Sequence, residues 1–348
     1  MNHKRPIKII GGGLAGLALG IALRQREVPV EIWEAGGYPR HRVCGEFISG
    51  AGQAVLERLG LREKIVSTGS TWAETALFAS GSQASLVHRL PQPALCVSRF
   101  VLDHALAREF ESMGGKLRAN ERCPQEGLEE GWVRASGRRP QPVENGWRWF
   151  GLKIHASRVP LAADLEMHLL RNAYVGICKL PGGQVNICGL FRRPPNEHPA
   201  GKAAKWEALR GPAGSLLRSR IEAAQPEESS FCSVAGLSLR AHRASDWPEC
   251  SIGDALTMTP PVSGNGMSMA LEAAEIAAES LAMYSQACLS WAEAKHLVAD
   301  RCDERFTNRL RWARVLQLLL FTPLASPSCL RFAFASRFLW NAAFARTR

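Results

Sequence analysis

Ile7-Lys8-Ile9-Ile10-Gly11-Gly12-Gly13-Leu14-Ala15-Gly16 and, a little further on, Val28-Pro29-Val30-Glu31-Ile32-Trp33-Glu34 decide the fold. Residues 6–10 read as a short buried strand. Gly11 to Arg24 read as a glycine-rich turn and a helix, and 28–33 as a second strand. Strand, glycine turn, helix and strand make a β-α-β unit. The glycines satisfy G-x-G-x-x-G, and Glu34 stands 18 residues beyond Gly16, close to the ~20 expected of a dinucleotide fingerprint. Gly11 allows the tight turn, Gly13 lets backbone approach a pyrophosphate, and Gly16 lets helix and strand pack closely. A helix that begins at Leu14 and Ala15 offers free N–H groups and a positive dipole end. The Glu34 carboxylate can accept from ribose hydroxyls and argues against a 2′-phosphate there. The fingerprint alone does not separate FAD from NAD.

The same stretch has the outline of a secretory signal, because Lys4 and Arg5 precede an apolar run from Ile9 to Leu23. Glycines at 11, 12, 13, 16 and 20, and the strand that follows, favour the dinucleotide reading.

Outward from this unit, the chain has 348 residues, 46% hydrophobic and 22% charged, which fits about two globular domains and excludes disorder, collagen and coiled coil. Its ten cysteines form no C-x-x-C and no zinc spacing. They suggest a reduced, cytoplasmic protein with buried thiols and no metal. The net charge is +11, and from Arg301 to Arg348 nine Arg face only Asp303 and Glu304. That basic end points to an anionic partner, either a membrane surface touched peripherally or an acidic carrier protein. No nucleic-acid recognition module accompanies it. The Arg, Leu, Phe and Trp of 309–345 suit packing on the dinucleotide domain with Arg outward.

Further along, 52–59, 99–113, 202–224 and 267–284 read as helices, and 75–97, 148–156 and 170–192 as strands, the last broken at Pro181-Gly182-Gly183. Residues 119–147 read as loop-rich, Gln225–Ser230 as a polar linker, and 289–348 as helical with breaks at Pro323 and Pro327.

A second motif selects the dinucleotide. Ser251-Ile252-Gly253-Asp254-Ala255, then Pro260-Pro261-Val262-Ser263-Gly264-Asn265-Gly266-Met267, resembles the GD…P…GxG signature of group A flavoprotein monooxygenases and geranylgeranyl-reductase-like flavoproteins. The resemblance implies FAD. Asp254 would hold a ribityl hydroxyl. Pro261, Gly264, Asn265, Gly266 and Met267 would bring backbone N–H groups and a helix N-terminus to the flavin pyrimidine edge, where negative charge develops on reduction.

Arg40-His41-Arg42-Val43-Cys44-Gly45-Glu46-Phe47-Ile48-Ser49 resembles the segment that runs beside the flavin in geranylgeranyl reductases and some flavin halogenases. This makes Arg42 a candidate flavin or phosphate contact and Gly45 a point of close approach. Cys44 reads as a packing residue rather than a redox thiol or covalent flavin anchor. Ser98-Arg99, with Leu102, resembles an R-x-x-L element whose Arg reaches the cofactor phosphate or adenosine side. Ala135-Ser136-Gly137-Arg138-Arg139 matches an Asp-Gly motif tied to pyridine nucleotides, with Ser136 in place of the Asp. NAD(P)H as electron donor therefore depends on Arg138 and Arg139 attracting phosphates.

The resemblance implies an α/β fold: a Rossmann-like FAD-binding domain, a sheet-rich substrate domain, and C-terminal helices. The expected partition is 1–72, 98–147 and 236–300 for FAD, 73–97 and 148–235 for substrate, and 301–348 for the C-terminal segment. The mainly apolar strands of the second unit favour a hydrophobic or aromatic substrate, with His155 and Tyr174 as weak catalytic or orienting candidates. Trp147-Arg148-Trp149 resembles the W-x-W of tryptophan halogenases, but Phe150-Gly151-Leu152 breaks the match. The favoured expectation is a monooxygenase that hydroxylates or epoxidises its substrate through a flavin C4a-(hydro)peroxide. The alternatives are a geranylgeranyl-reductase-like alkene reductase and an FAD-binding protein without catalysis.

Overall fold

The computed structural model describes residues 4–123, 129–197, 201–321 and 344–346. The expected breaks at Pro323 and Pro327, and most of the C-terminal stretch beyond Phe321, lie outside the described residues.

The β-α-β unit nucleates a five-stranded parallel sheet. Its order is Cys250–Ser251, Trp132–Arg134, Ile7–Ile10, Val30–Glu34 and Lys116–Ala119. Ile7 pairs with Val30, and Ile10 with Trp33. The helix Leu14–Arg24 packs against Arg99–Ser112 and Gly266–Ser285, and every residue from Leu14 to Leu23 is buried. That explains an apolar run with almost no polar interruption: the helix is covered on all sides.

The second sheet has nine strands. Its path runs Gln225–Ala235, Arg148–Ser157, Val185–Arg193, Ala173–Lys179, Leu165–Leu170, Thr71–Ser80, His88–Cys96 and Phe47–Ile48, with Gln83–Ala84 paired to Thr71–Ser80. All pairings are antiparallel except Leu165–Leu170 with Thr71–Ser80. Side chains alternate between its faces. One face carries Phe150, Leu152, Ile154, Val175, Ile177 and Ile187. It packs against Leu209, Leu217 and Ile221 of the helices Gly201–Arg210 and Leu216–Ile221. The other face carries Trp149, Gly151, Lys153 and His155, whose register partners are Arg192, Leu190, Cys188 and Asn186. Tyr174 and Gly176 continue it, opposite Leu190 and Cys188. This second face meets the loop 40–47 and the short turn Pro261–Ser263.

The helix Trp291–Leu320 starts with a reciprocal cap between Ser290 and Glu293 and packs along Gly266–Ser285. Buried Arg309 pairs with Glu272 at 2.6 Å. Among the described residues no helix is long and apolar enough to cross a membrane, and no cluster of His, Cys, Asp or Glu is arranged to hold a metal.

Two readings are corrected. The loop-rich stretch 119–147 contains Trp132–Arg134, which sits between Ile7–Ile10 and Cys250–Ser251 in the parallel sheet. Three residues are too few to show a period. The linker expected at 225–230 is the start of the edge strand Gln225–Ala235. Its polarity reflects a largely exposed strand with a register shift between Glu227 and Cys232.

Candidate cofactor and active site

Two helix N-termini define a cleft. Leu14–Arg24 begins after Gly13, and Gly266–Ser285 after Asn265. Neither cap makes a side-chain hydrogen bond, and neither first turn holds an acidic residue. The leading N–H groups of each helix are thus left for an anion or an electron-rich ring edge. The glycines divide by role. A Cβ on Gly11 or Gly16 would strike backbone: the Ala135 carbonyl from Gly11, the Gly11 carbonyl from Gly16. A Cβ on Gly13 would meet only an Arg42 nitrogen at 4.0 Å, and one on Gly266 would meet nothing. Those two glycines leave room that the protein itself does not fill.

Asp254 stands on the cleft wall. It is solvent-accessible, and a void of about one water's size lies beside it among Gly253, Thr257, Thr259, Gly266 and Phe306. Desolvation raises its pKa, while Arg99 and Arg138 act in the opposite direction. The Arg138 Nε is buried without a hydrogen-bond partner among the described residues, and desolvation lowers the pKa of its guanidinium. Arg139 is committed elsewhere: it stacks 3.7 Å over Trp247 and donates to the Ala255 carbonyl at 3.0 Å. Ser136 is exposed beside the Gly11 turn.

Glu34 is buried at the end of its strand. It accepts from the N–H groups of Gly12 and Gly36, both at 2.9 Å, and pairs with Arg40 at 2.6 Å and Arg42 at 3.3 Å. A ribose diol would share or displace these arginines. Arg42 also pairs with Asp103 at 2.9 Å. Arg99, expected to reach the cofactor, is clamped by the same buried carboxylate through bonds of 2.6 and 2.8 Å. Asp103 thus orients both arginines, a role the sequence did not signal.

Gly45 sits next to Phe47, which in turn fills the space above Gly264. Phe47, the first residue of the edge strand Phe47–Ile48, thus contacts the turn 261–264, and the preceding loop lies against the sheet, with Val43 beside Gly151. The Cys44 carbonyl accepts from Asn186 at 2.8 Å, and burial raises the pKa of its thiol. That suits packing rather than thiolate chemistry.

The two candidates on the sheet face occupy opposite ends of it. His155 is 2.6 Å from Glu46, which is also 3.4 Å from Lys153. Glu46 and Lys153 are both fully buried. Burial opposes the charge on Glu46, but hydrogen bonding from His155 and the Lys153 charge outweigh it and lower its pKa. Lys153 was not among the expected site residues; a lysine inside the apolar strand Arg148–Ser157 was the available signal. Tyr174 lies at the other end, packed with Trp149, Leu190, Leu237, Val262 and Phe321. Its hydroxyl has no partner among the described residues. Gln317 is buried too, with both amide atoms unpartnered among the described residues. It lies between Leu316 and Leu320, which pack on the Tyr174 cluster.

The fold is that of FAD-dependent monooxygenases and flavin-dependent halogenases, with a Rossmann-like cofactor unit under a curled sheet. No family model matches the chain. The flavin-dependent brominase Bmp2 superposes with a TM-score of 0.72 at 16% identity, covering 99% of this chain and 93% of its own. Pseudomonas aeruginosa PqsL, in complex with 2-aminobenzoylacetate, superposes at 0.69 with 15% identity over 98% of this chain and 100% of its own. The flavin-dependent halogenase CmlS gives 0.73 at 18% identity, with 100% of this chain and 68% of its own covered. One curated relative, conditioned medium factor receptor 1 of Dictyostelium discoideum, is 26% identical over 126 residues, and the match spans a quarter of its length.

Proposed function

We propose that the protein is an FAD-dependent monooxygenase acting on an apolar or aromatic small molecule. The open helix N-termini, the free space at Gly13 and Gly266, and the solvent-accessible carboxylate of Asp254 fit FAD. Leu14, Ala15 and Gly16 would hold the pyrophosphate, Glu34 the adenosine ribose, Asp254 the ribityl chain, and Gly264 to Met267 the pyrimidine edge. Bound FAD supplies the redox chemistry, taking electrons from a donor and passing them to O₂. The chain binds, orients and excludes water.

The observation that carries the substrate class is the buried cluster of Trp149, Tyr174, Leu190 and Val262 beside the turn 261–264. Its apolar side chains would favour an aromatic ring at this face, and the unpartnered Tyr174 hydroxyl can orient one hydrogen-bonding substituent. The aromatic 2-aminobenzoylacetate bound by PqsL agrees with this choice. Arg138, a partly buried cation beside Asp254, is the group most suited to attract the phosphates of NAD(P)H as donor. The test is stopped-flow absorbance of photoreduced protein mixed with oxygenated buffer, with and without aromatic acids and amines. A transient band to the blue of oxidised flavin supports the monooxygenase. Return to oxidised flavin without that band under every condition supports an alkene reductase instead.

A further inference from the structure

The sheet face that carries the Tyr174 cluster ends in a cation with no carboxylate partner among the described residues. Arg192 pairs in register with Trp149 and stands two residues beyond Leu190, the partner of Tyr174. Tyr174 and Arg192 are therefore diagonal neighbours on one face. The Arg192 guanidinium stacks 4.3 Å over Trp147 and lies 5.0 Å from the Phe321 ring. Its Nε donates to Oδ1 of Asn172 at 3.1 Å, and its Nη2 to the Phe321 carbonyl at 2.7 Å. Both acceptors are neutral. A guanidinium has five N–H groups, so three of them find no acceptor among the described residues. Burial lowers the Arg192 pKa, and no neighbouring charge opposes it.

Two more polar groups at this cluster are unused. The Tyr174 hydroxyl and both amide atoms of Gln317 are buried without a partner among the described residues. Gln317 stands one turn before Phe321, on the same side of the helix Trp291–Leu320. The Phe321 ring in turn lies 6.0 Å from Tyr174 and 5.0 Å from Trp149.

We propose that Arg192 is a specificity residue for an aromatic carboxylic acid, its guanidinium taking the substrate carboxylate while Tyr174 and Gln317 hold a second polar substituent; this rests on the reading that the cluster receives an aromatic substrate.

A clamp between sheet and helix does not require this arrangement. A neutral amide would serve as donor to the Phe321 carbonyl, and a cation drawn out of water is costly unless it is paired. Elsewhere the chain supplies such pairs: Arg309 has Glu272, Arg99 has Asp103, and Arg220 has Glu166. The aromatic rings offset only part of the cost, because cation–π attraction is weak where water still reaches the group. A carboxylate would supply the missing charge through two parallel N–H···O bonds, and a planar fork stacked on Trp147 is already oriented to receive it. Arg192 is only half-buried, so its unused N–H groups can be met from solvent. The Phe321 ring occupies the space between Trp149 and Tyr174, so the substrate ring enters by displacing it. The same cluster includes Val262, in the turn expected at the flavin pyrimidine edge.

The test is calorimetric titration of the FAD-loaded chain with salicylate against salicylamide and indole-3-acetate against indole-3-acetamide. Within each pair only the carboxylate changes. Acetate controls for general attraction of anions to a chain of net charge +11. Each acid should bind at least tenfold more tightly than its amide, and acetate should not bind. Arg192→Gln, which keeps a donor for the Phe321 carbonyl, should abolish the preference and leave amide affinity within twofold of wild type. Arg192→Lys, which keeps the charge and loses the fork, should retain part of it. Phe321→Ala, which keeps the backbone carbonyl, should bind the acids more tightly than wild type. Equal affinity for acid and amide overturns the proposal, as does a preference that survives Arg192→Gln. So does acetate binding as tightly as the aromatic acids. A wild-type chain that holds FAD and takes none of the four aromatic probes refutes the reading of the cluster itself.

Discussion

Gly16 lies against the carbonyl of Gly11 so closely that a methyl group would overlap the oxygen. Gly13, three residues earlier in the same turn, has open space where its Cβ would stand. Gly16→Ala should therefore destabilise the cofactor-free fold by about 1–3 kcal/mol through overpacking. Gly13→Ala should leave that fold within about 0.5 kcal/mol of wild type, since its Cβ would meet only an Arg42 nitrogen at 4.0 Å. It should weaken FAD binding at least tenfold. Urea unfolding of the cofactor-free chains, with FAD titration of each, separates the two. Equal destabilisation by both would show that the turn serves the fold alone.

Tyr174 offers a change of opposite sign. Its buried hydroxyl lacks a partner among the described residues, and an unsatisfied hydroxyl costs about 1–3 kcal/mol. Tyr174→Phe should raise stability by ~1 kcal/mol and weaken binding of aromatic ligands that carry a hydrogen-bonding substituent. A loss of stability on urea unfolding would show that the hydroxyl is satisfied and has no spare capacity for substrate.

The His41 imidazole sets a pH dependence whose sign can be worked out. Its folded pKa, about 4, is below the ordinary 6.5, because burial and Lys153 disfavour the cation. Between these values the unfolded chain binds the extra proton, so stability rises with pH. The contribution is complete above the ordinary histidine value and is lost as pH falls towards 4. His41→Gln should flatten the unfolding free energy against pH between 6.5 and 4, measured by urea melts. An unchanged slope would mean that His41 is not held neutral.

What the chain displays in one dimension was legible where a pattern is local. Gly11 to Gly16 and the strands around them follow from glycine spacing and flanking apolar residues, whereas Asp254 was singled out only through the resemblance of 251–267 to a flavoprotein signature. Trp132–Arg134 was not, because three residues carry no period. Gln225–Ala235 was not, because an exposed edge strand looks like a linker. In the site, His155 stood out as a polar residue in an apolar strand, and Lys153 lies two positions before it on the same face, but Glu46, which meets both, comes from a loop 109 residues away from His155 in sequence. Asp103, which anchors both Arg42 and Arg99, reads locally as one more charge on a helix.

The helix Trp291–Leu320 exposes Trp312, Val315, Leu318 and Leu319, with Arg311 and Arg314 exposed beside them. An apolar stripe next to cations fits an anionic membrane surface. Cosedimentation with phosphatidylserine vesicles should be strong at low salt, weaker at high salt, and lost in a Leu318→Glu, Leu319→Glu double variant. Equal binding to neutral vesicles, or none to anionic ones, would remove the membrane from the account.

The central claim is that the cleft between Gly13 and Gly266 holds FAD. Its most direct measurement is equilibrium titration of the purified chain with FAD, read by flavin fluorescence and by flavin released on denaturation. The account predicts one FAD per chain, with affinity reduced at least tenfold by Gly13→Ala and by Asp254→Ala. A chain that binds no flavin, or binds it equally well in both variants, would contradict it.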